Sequence, residues 1–329
     1  MNSTKRISPW AWVPTLYFAQ GIPYFIVNNI SVLMFAKMGV PNGEMALFTS
    51  LLYLPWTIKP FWSPFIDIIK TKRWWIISMQ ILMSIAFILL TLSIPKPDEA
   101  TIAAGTTPIS MFTITLILFI ITAFASATHD IAADGFYMLA LKQSDQAAFV
   151  GIRSTFYRLA SIFGQGVLVA IAGAIELRYK DIPLSWTITM LVTAVMFSLV
   201  TFYHLFTIPK PTSDKSVLTP GTANAKAIFQ EFGRTFATYF TKPGVWLAIA
   251  FMLLYRLPEA FLIKMCMPFL VASKEAGGLE LSTAEVGIVY GTIGVMFLTV
   301  GGILGGLFAS RIGLKTVSYT HLRAHETPE

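Results

Sequence analysis

Residues 109–139 read ISMFTITLILFIITAFASATHDIAADGFYML, and this stretch decides the fold class of the chain. Its apolar part is long enough to cross a bilayer, which takes a helix of ~20 residues. It shows none of the polar–apolar alternation that a membrane strand requires. Two carboxylates nevertheless interrupt it, at Asp130 and Asp134. A charge in such a place is costly unless it faces a cavity or a partner, so it indicates a path for a polar solute or an ion.

Further apolar runs of similar length predict an all-α, multi-pass membrane protein. Of the 329 residues, 55% are hydrophobic and only 12% are charged, whereas soluble domains carry about 25% charged residues. So large an apolar surplus cannot be buried in one soluble core, and lipid must solvate much of it. The predicted spans are 12–35, 45–66, 74–94, 109–139, 149–175, 184–208, 245–272 and 286–309.

Lysine and arginine concentrate in alternate loops, and this bias predicts the orientation of the chain. With these spans in order, the basic loops lie on the same side as the N-terminus, which the positive-inside rule places in the cytoplasm. The net charge of +7 is thereby explained by the membrane and does not indicate nucleic acid. No P-loop, zinc-ligand spacing or Ser–His–Asp set is present, so we expect no cofactor and no metal.

A long polar segment separates the first six spans from the last two. We therefore expect an N-terminal six-helix bundle (1–208), a cytoplasmic linker (209–243) and a partial C-terminal bundle of two helices (244–316). Residues 317–329 are polar and do not continue the pattern. We interpret them as a non-native tail on a chain whose second half is truncated.

The linker contains a periodic segment that predicts an amphipathic helix. Its apolar residues recur every three or four positions, which gives one apolar helical face. They are Ile228, Phe232, Phe236 and Tyr239. A helix of this kind lies in the membrane interface with its basic residues near the lipid headgroups.

The ends of the second and eighth spans carry a faint internal repeat. The stretch GLFASRIGLK at 306–315 resembles the major facilitator superfamily motif G-x-L-A-D-R-x-G-R-K, with Ser310 in place of the acid. The earlier copy keeps Asp67 followed by basic residues. Two further stretches, YFAQGIPY at 17–24 and HDIAADG at 129–135, resemble signatures of AmpG-type muropeptide permeases and the related acetyl-CoA transporters.

This resemblance implies a major-facilitator-type helical bundle with six helices and the first two of a second half. It also implies proton-driven import, across the inner membrane, of anhydro-muropeptides built on GlcNAc and anhydro-MurNAc. The expected partners are that small anionic glycopeptide, protons and the lipid bilayer, and the expected state is a monomer. In the superfamily the basic motif latches the cytoplasmic gate, so the resemblance assigns gating to four residues. They are Asp67, Lys72, Arg73 and Arg311.

Three intramembrane acids are the candidates for proton coupling: Asp130, Asp134 and Glu259. Asp130 and Asp134 are four positions apart and so share one helix face. Arg158, at a comparable depth in the next span, is the expected partner of Asp130. Protonation of the acid would then release the arginine to an anionic substrate.

The candidate substrate-binding residues come from the first, fifth and seventh spans. Gln20, Tyr24 and Asn28 form one polar helical stripe of amide and hydroxyl groups. Interhelical hydrogen bonding is the alternative interpretation of this stripe. From the other spans we include Arg158, Tyr255 and Arg256. Arg256 and Glu259 are three positions apart, and a pair within their own helix is equally compatible with the pattern.

Several alternatives remain open from the sequence alone. Lys59 is expected to extend to the inner interface, with contact to an anionic substrate as the second interpretation. The solute of a facilitator-type carrier could also be acetyl-CoA, a sugar or a drug. A membrane-embedded cell-wall enzyme that uses Asp130 and Asp134 as acid and base is the rival from another class, although we expect no enzyme.

Overall fold

The structure is a computed structural model that describes residues 7–216, 225–255, 257, 269, 274–280 and 293–312. Within these ranges the regular structure is helical, and no strand occurs. The helices are α1 (Pro9–Lys37), α2 (Asn42–Thr57), α3 (Ser63–Ile69), α4 (Lys72–Ser93), α5 (Glu99–Ala104), α6 (Ile109–Ala140), α7 (Gln143–Tyr179), α8 (Ile182–Thr207), α9 (Ala225–Thr241), α10 (Val245–Tyr255) and α11 (Val295–Ile312).

The all-α, multi-pass class predicted from the sequence is confirmed. In the part of the chain described, five helices are long and apolar enough to cross a membrane, namely α1, α4, α6, α7 and α8. The bent pair of α9 and α10, with 77° between them, would make a sixth if it acts as one span. The predicted seventh span lies mostly outside the described residues, and α11 covers part of the eighth.

The second predicted span differs from expectation, because it is broken. Helix α2 ends at Thr57, a 3₁₀ turn covers Lys59–Phe61, and α3 begins at Ser63. Pro60 and Pro64 lack the backbone N–H that a continuous helix would use, and their rings clash with the preceding turn. The break turns Lys59 away from a regular helical position, and this decides the chemistry of the site described below.

The buried core lies between α1, α4, α6 and α8, and the outer faces of these helices stay apolar. Trp12 and Phe136 meet edge to face with ring centroids 5.3 Å apart, and both are fully buried. By contrast, Leu92 of α4 and Leu199 of α8 are 77% and 65% exposed. Large exposed apolar side chains along a helix are what lipid contact requires.

A reciprocal contact ties the start of α4 to the end of α8. The Asp214 carboxylate accepts the backbone N–H groups of Lys72 and Arg73 at 2.8 and 2.9 Å. The Arg73 guanidinium donates to the carbonyls of Leu205 and Ile208 at 2.8 and 3.0 Å. An anion thus stabilises a helix N-terminus and a cation a helix C-terminus, as the helix dipole favours. We call this end of the bundle the basic end.

Helix α11 crosses α7 through glycine backbones. A Cβ atom added at Gly151 would lie 2.7 Å from the Cα of Ile303 and so could not be accommodated without movement. A Cβ at Gly306 would in turn lie 3.1 Å from the Gly151 nitrogen. This is the close approach that small residues permit between membrane helices.

The predicted linker helix is present as α9, and it packs against α3. The Phe232 ring stacks on Phe65 with centroids 4.6 Å apart. The Phe229 ring also meets Phe65, edge to face with centroids 6.1 Å apart, and it is 67% exposed. The contact with α3 places this helix beside the break in the second span. The domain boundaries at 208 and 243 remain predictions, and the tail at 317–329 lies outside the described residues.

Candidate functional site

Asp130 lies at the centre of the candidate site, where three segments meet. Helix α6 carries it ~15 Å from its end at Ala140. The Lys59 ammonium from the break in the second span donates to one carboxylate oxygen, and the Gln20 amide from α1 donates to the other. The Asp130 side chain is 15% exposed and that of Lys59 is 30% exposed. The pair is thus enclosed, yet not sealed from water.

The expected partner of Asp130 was wrong. We predicted Arg158, and the structure brings Lys59 to this carboxylate instead. The reason is the broken helix. In a continuous span Lys59 would extend towards the interface, whereas the 3₁₀ turn directs it into the bundle. Arg158 was predicted from its depth in the membrane alone. Pairing also depends on how a helix is rotated about its axis, and depth does not determine that rotation.

Asp134 lies one turn closer to the basic end and has a separate set of partners. It accepts from Arg153 Nη2 at 2.6 Å and from the Tyr17 hydroxyl at 2.9 Å. The guanidinium also lies over the rings of Tyr17 and Tyr137, 4.3 and 4.5 Å from their centroids. A cation sandwiched between two aromatic faces gains from both quadrupoles. Each carboxylate therefore has its own cation, and the two pairs follow each other along α6.

Arg158 has no ionic partner among the described residues. Its Nη1 atom is buried and makes no hydrogen bond to any of them. Further along α7, the Gln165 amide donates to Ser161 Oγ at 2.7 Å. A buried polar atom without a hydrogen-bond partner is costly. This guanidinium is therefore suited to receive an anion from outside the described chain.

Aromatic rings cover the ion pair of Asp130 and Lys59 on the side away from the basic end. The ring of Tyr24 lies 5.2 Å from Trp56, 6.3 Å from Tyr53 and 6.3 Å from Tyr157. Beyond these rings a cavity of about 490 Å³ opens between α1 and α2. Its lining consists of Tyr24, Asn28, Asn29, Val32, Met45, Ala46, Thr49, Ser50 and Tyr53. Of the predicted stripe, Tyr24 and Asn28 face this cavity, while Gln20 binds Asp130.

Sequence reasoning missed a buried polar network beside the site. The Gln80 amide bridges two histidines, with its Nε2 3.0 Å from His129 Nε2 and its Oε1 3.0 Å from His204 Nδ1. His204 Nε2 then reaches the Thr15 hydroxyl at 2.9 Å. Both histidines and Gln80 are fully buried. The signal was available, because each is a polar residue inside an apolar run, but nothing in one sequence shows that they meet.

The gating candidates divide into two contacts. Asp67 near the end of α3 accepts from Lys72. The aliphatic part of Lys72 crosses α6 at Gly135, where an added Cβ would lie 2.8 Å from the Lys72 Cδ. Arg73 does not join them, since it bonds the end of α8. Arg311 is exposed near the end of α11. The role of these residues in gating stays a prediction.

The remaining candidates come from the seventh span. Tyr255 ends α10 and is 69% exposed. Arg256 and Glu259 lie outside the described residues. Within the described ranges no group of three or more His, Cys, Asp or Glu side chains converges that could hold a metal ion.

Comparison with known proteins places these residues in context. The family model of the major facilitator superfamily matches residues 15–320. The anhydromuropeptide permease of Escherichia coli K12 is 26% identical over 313 residues, which cover 91% of this chain and 55% of that protein. The putative transporter AmpG 3 of Rickettsia typhi is 25% identical over 276 residues, which cover 80% of this chain and 59% of that protein. The putative transporter AmpG 4 of Rickettsia conorii is 24% identical over 307 residues, which cover 91% of this chain and 67% of that protein.

The chain thus spans little more than half the length of the first relatives. Both acid–cation pairs lie within the residues that the family model matches. The family and the names of these relatives favour a transporter over a membrane-embedded enzyme. The all-helical fold, the apolar spans and the family match over most of the residues agree with one another. The chain belongs to the major facilitator superfamily.

Proposed function

We propose that the whole protein is a secondary active transporter that imports an anionic solute with protons. Its substrate would be an anhydro-muropeptide released during cell-wall turnover. Two kinds of observation support the proposal: the names of the relatives, and the intramembrane charges that line the site. The chain is about 25% identical to those relatives, so their names alone do not fix its substrate. The charges of the site favour an anionic solute, and uptake and competition experiments test this choice.

The observation that carries the proposal is the partly enclosed ion pair of Asp130 and Lys59. Protonation of the carboxylate removes the charge that holds the ammonium. Lys59 then becomes available to an anionic group on the solute, and proton and substrate are bound together. When the proton leaves, Asp130 competes again for Lys59 and favours release. This exchange follows from the preference of buried charges for partners.

A second cation makes the site selective for an anion. Arg158 has no counter-ion among the residues that the structure describes, while Asp130 and Asp134 are already neutralised. The described part of the site therefore carries one net positive charge in its resting state. Peptide carboxylates of a muropeptide would complete the pairing, and a guanidinium can bind a carboxylate through two parallel hydrogen bonds. Glu259 and Arg256 would extend the same site from the seventh span.

The proposed setting is the inner membrane, with the N-terminus and the basic end facing the cytoplasm and the protein acting as a monomer. The basic loops at that end support this orientation. The contact of Asp67 with Lys72 would then help to close the cytoplasmic side, and Arg311 would belong to the second copy of that gate.

Uptake of labelled anhydro-muropeptide into vesicles holding the full-length protein tests the proposal. We expect uptake to follow an imposed proton gradient and to be abolished by Asp130→Asn, which removes the titrating group. Asp98→Asn is the matched control, because Asp98 caps the exposed helix α5 by accepting the Thr101 N–H, and asparagine caps a helix as well. Its uptake should equal that of the unmodified protein.

Competition separates the proposed substrate from its rivals. Excess unlabelled muropeptide should block uptake, whereas acetyl-CoA should not. Proton-driven uptake with an unchanged pH profile in the Asp130→Asn variant would contradict the coupling role. A solute recovered in chemically altered form inside the vesicles would instead support an enzyme.

A further inference from the structure

The cavity between α1 and α2 lies beyond the ion pairs and has a different chemistry. None of its nine lining residues carries a charge. Its volume of about 490 Å³ is within the ~300–1,000 Å³ that small-molecule sites occupy. It lies towards the end of α1 opposite the basic end, separated from Asp130 by the Tyr24–Trp56 contact. Its position and its neutrality mark it as a separate part of the binding region.

A local irregularity in α1 brings two adjacent amides into this cavity. Residues Ile26–Ile30 form a π-helical turn, and both Asn28 and Asn29 line the cavity. In a regular α-helix consecutive side chains point about 100° apart. The wider π turn relaxes this separation, and such turns occur frequently at functional sites.

The hydrogen bonds already made in the cavity leave uncharged acceptors and amide donors for a ligand. The Thr49 hydroxyl donates to the Met45 carbonyl and the Ser50 hydroxyl to the Leu47 carbonyl, both at 2.7 Å. The Asn28 amide nitrogen donates to the Tyr24 carbonyl at 3.0 Å. The two hydroxyls have thus used their proton inside their own helix and keep oxygen lone pairs. The amides of Asn28 and Asn29 keep N–H donors as well as acceptor oxygens.

An uncharged surface that offers both donors and acceptors selects a particular kind of group. A carboxylate or phosphate would find no cation among the nine lining residues to offset the loss of its hydration, whereas neutral hydroxyl and amide groups find hydrogen-bond partners. The exposed ring of Tyr53 adds an aromatic face, and such faces favour the positively polarised C–H bonds of a ring.

We infer that this cavity is a second subsite that holds a neutral, hydroxyl-rich group of the solute. The anionic part of the same solute lies against Lys59 and Arg158. This inference rests on the proposed function for the identity of the solute, but the subsite is defined by its own residues. The two regions together would orient a solute that has one neutral and one anionic end in a single direction along the transport path.

Isothermal titration of the purified full-length protein with two probes tests the subsite. The neutral probe is the disaccharide N,N′-diacetylchitobiose, and the anionic probe is γ-glutamylglutamate. Thr49→Val keeps the shape of the side chain and removes the acceptor oxygen. We expect it to weaken disaccharide binding about tenfold, as the loss of a good hydrogen bond implies, and to leave the dipeptide affinity unchanged.

A matched control is available in α4. The Thr91 hydroxyl donates to the Phe87 carbonyl at 3.0 Å, in the same way as Thr49 bonds its own helix, but Thr91 lies away from the cavity. Thr91→Val should leave both affinities unchanged. Arg158→Gln should show the opposite selectivity to Thr49→Val, with weaker dipeptide binding and unchanged disaccharide binding.

The outcomes separate this inference from the proposed function. Disaccharide binding that is lost on Thr49→Val supports the subsite, even if no muropeptide enters the vesicles and the proposed substrate fails. Disaccharide binding that is absent in the unmodified protein, or equal in the Thr49 and Thr91 variants, overturns the subsite. Proton-driven muropeptide uptake would leave the proposed function standing in that case.

Discussion

At the scale of single residues, Asp130 and Asp134 each depend on a cation that another segment supplies. The four-residue spacing put Asp130 and Asp134 on one face of α6, and the structure keeps both beside cations. Their partners, Lys59 and Arg153, were not foreseen. Lys59 lies in the break of the second span, and Arg153 lies in α7. Spacing gives the position of a residue along one helix, whereas partners depend on how several helices are rotated.

The pairing of Lys59 with Asp130 can be tested by a double-mutant cycle. Lys59→Met and Asp130→Asn each leave one partly buried charge without its partner, and we expect each to lower the free energy of unfolding by about 1–3 kcal/mol. The double variant should lose less than the sum, because no unpaired charge remains. Thermal unfolding in detergent provides the measurement. Additive losses would mean that the two residues do not interact.

Arg153 and Arg158 of α7 should behave in opposite ways. Arg153→Gln removes the cation of Asp134 and its contacts with two rings, so it should lower stability by about 2 kcal/mol. Arg158→Gln removes a guanidinium without a described counter-ion and should leave stability unchanged or raised. Its effect should appear in transport, as a roughly tenfold higher KM for an anionic solute.

Unfolding midpoints and uptake kinetics, measured on both variants, separate these roles. A strongly destabilised Arg158→Gln variant would point to a counter-ion in the part of the chain that the structure does not describe. Arg158→Lys provides a further comparison, since it keeps the charge and loses the planar fork.

At the scale of elements, the long apolar helices were predictable and their irregularities were not. Hydropathy located α1, α4, α6, α7 and α8 because lipid contact imposes long apolar runs. The break near Lys59 and the π turn at Ile26–Ile30 left no comparable pattern. Pro60 gave a hint of the first, yet prolines also occur in membrane helices that continue. These irregular turns are where the site chemistry is located.

The Gln80 network joins four helices, and its loss should destabilise the bundle. Gln80→Leu leaves the facing nitrogens of His129 and His204 without their partner, at a cost of about 2–4 kcal/mol. Gln165→Leu is the matched control, because the exposed Gln165 amide bonds only Ser161 in its own helix among the described residues. Denaturant unfolding in detergent checks this difference. Equal stability of the two variants would show that the network contributes nothing beyond packing.

The crossing of α7 and α11 should be sensitive to a single methyl group. Gly151→Ala forces the two backbones apart, and we expect uptake to fall at least tenfold while the protein still inserts. Gly173→Ala is the control, because an added Cβ meets nothing within 4 Å there, and alanine favours a helix. Full uptake by the Gly151 variant would indicate that this crossing opens during transport.

At the scale of the whole molecule, the loop charges predicted an orientation that labelling can check. In a Cys266→Ser background, Lys142→Cys places a thiol at the basic end and Ala104→Cys places one at the opposite end, both at exposed positions. An impermeant maleimide should label the Ala104 variant in intact cells and the Lys142 variant only after lysis. The reverse pattern would invert the proposed topology.

The reciprocal contact at the basic end has a consequence for the order of events during synthesis. Asp214 follows α8 in the chain, so α4 waits without its capping anion until more than a hundred further residues have left the ribosome. The helix bundle is then completed by a residue beyond α8. Cutting the gene after Ile208 would therefore yield a bundle that inserts without the carboxylate that caps α4.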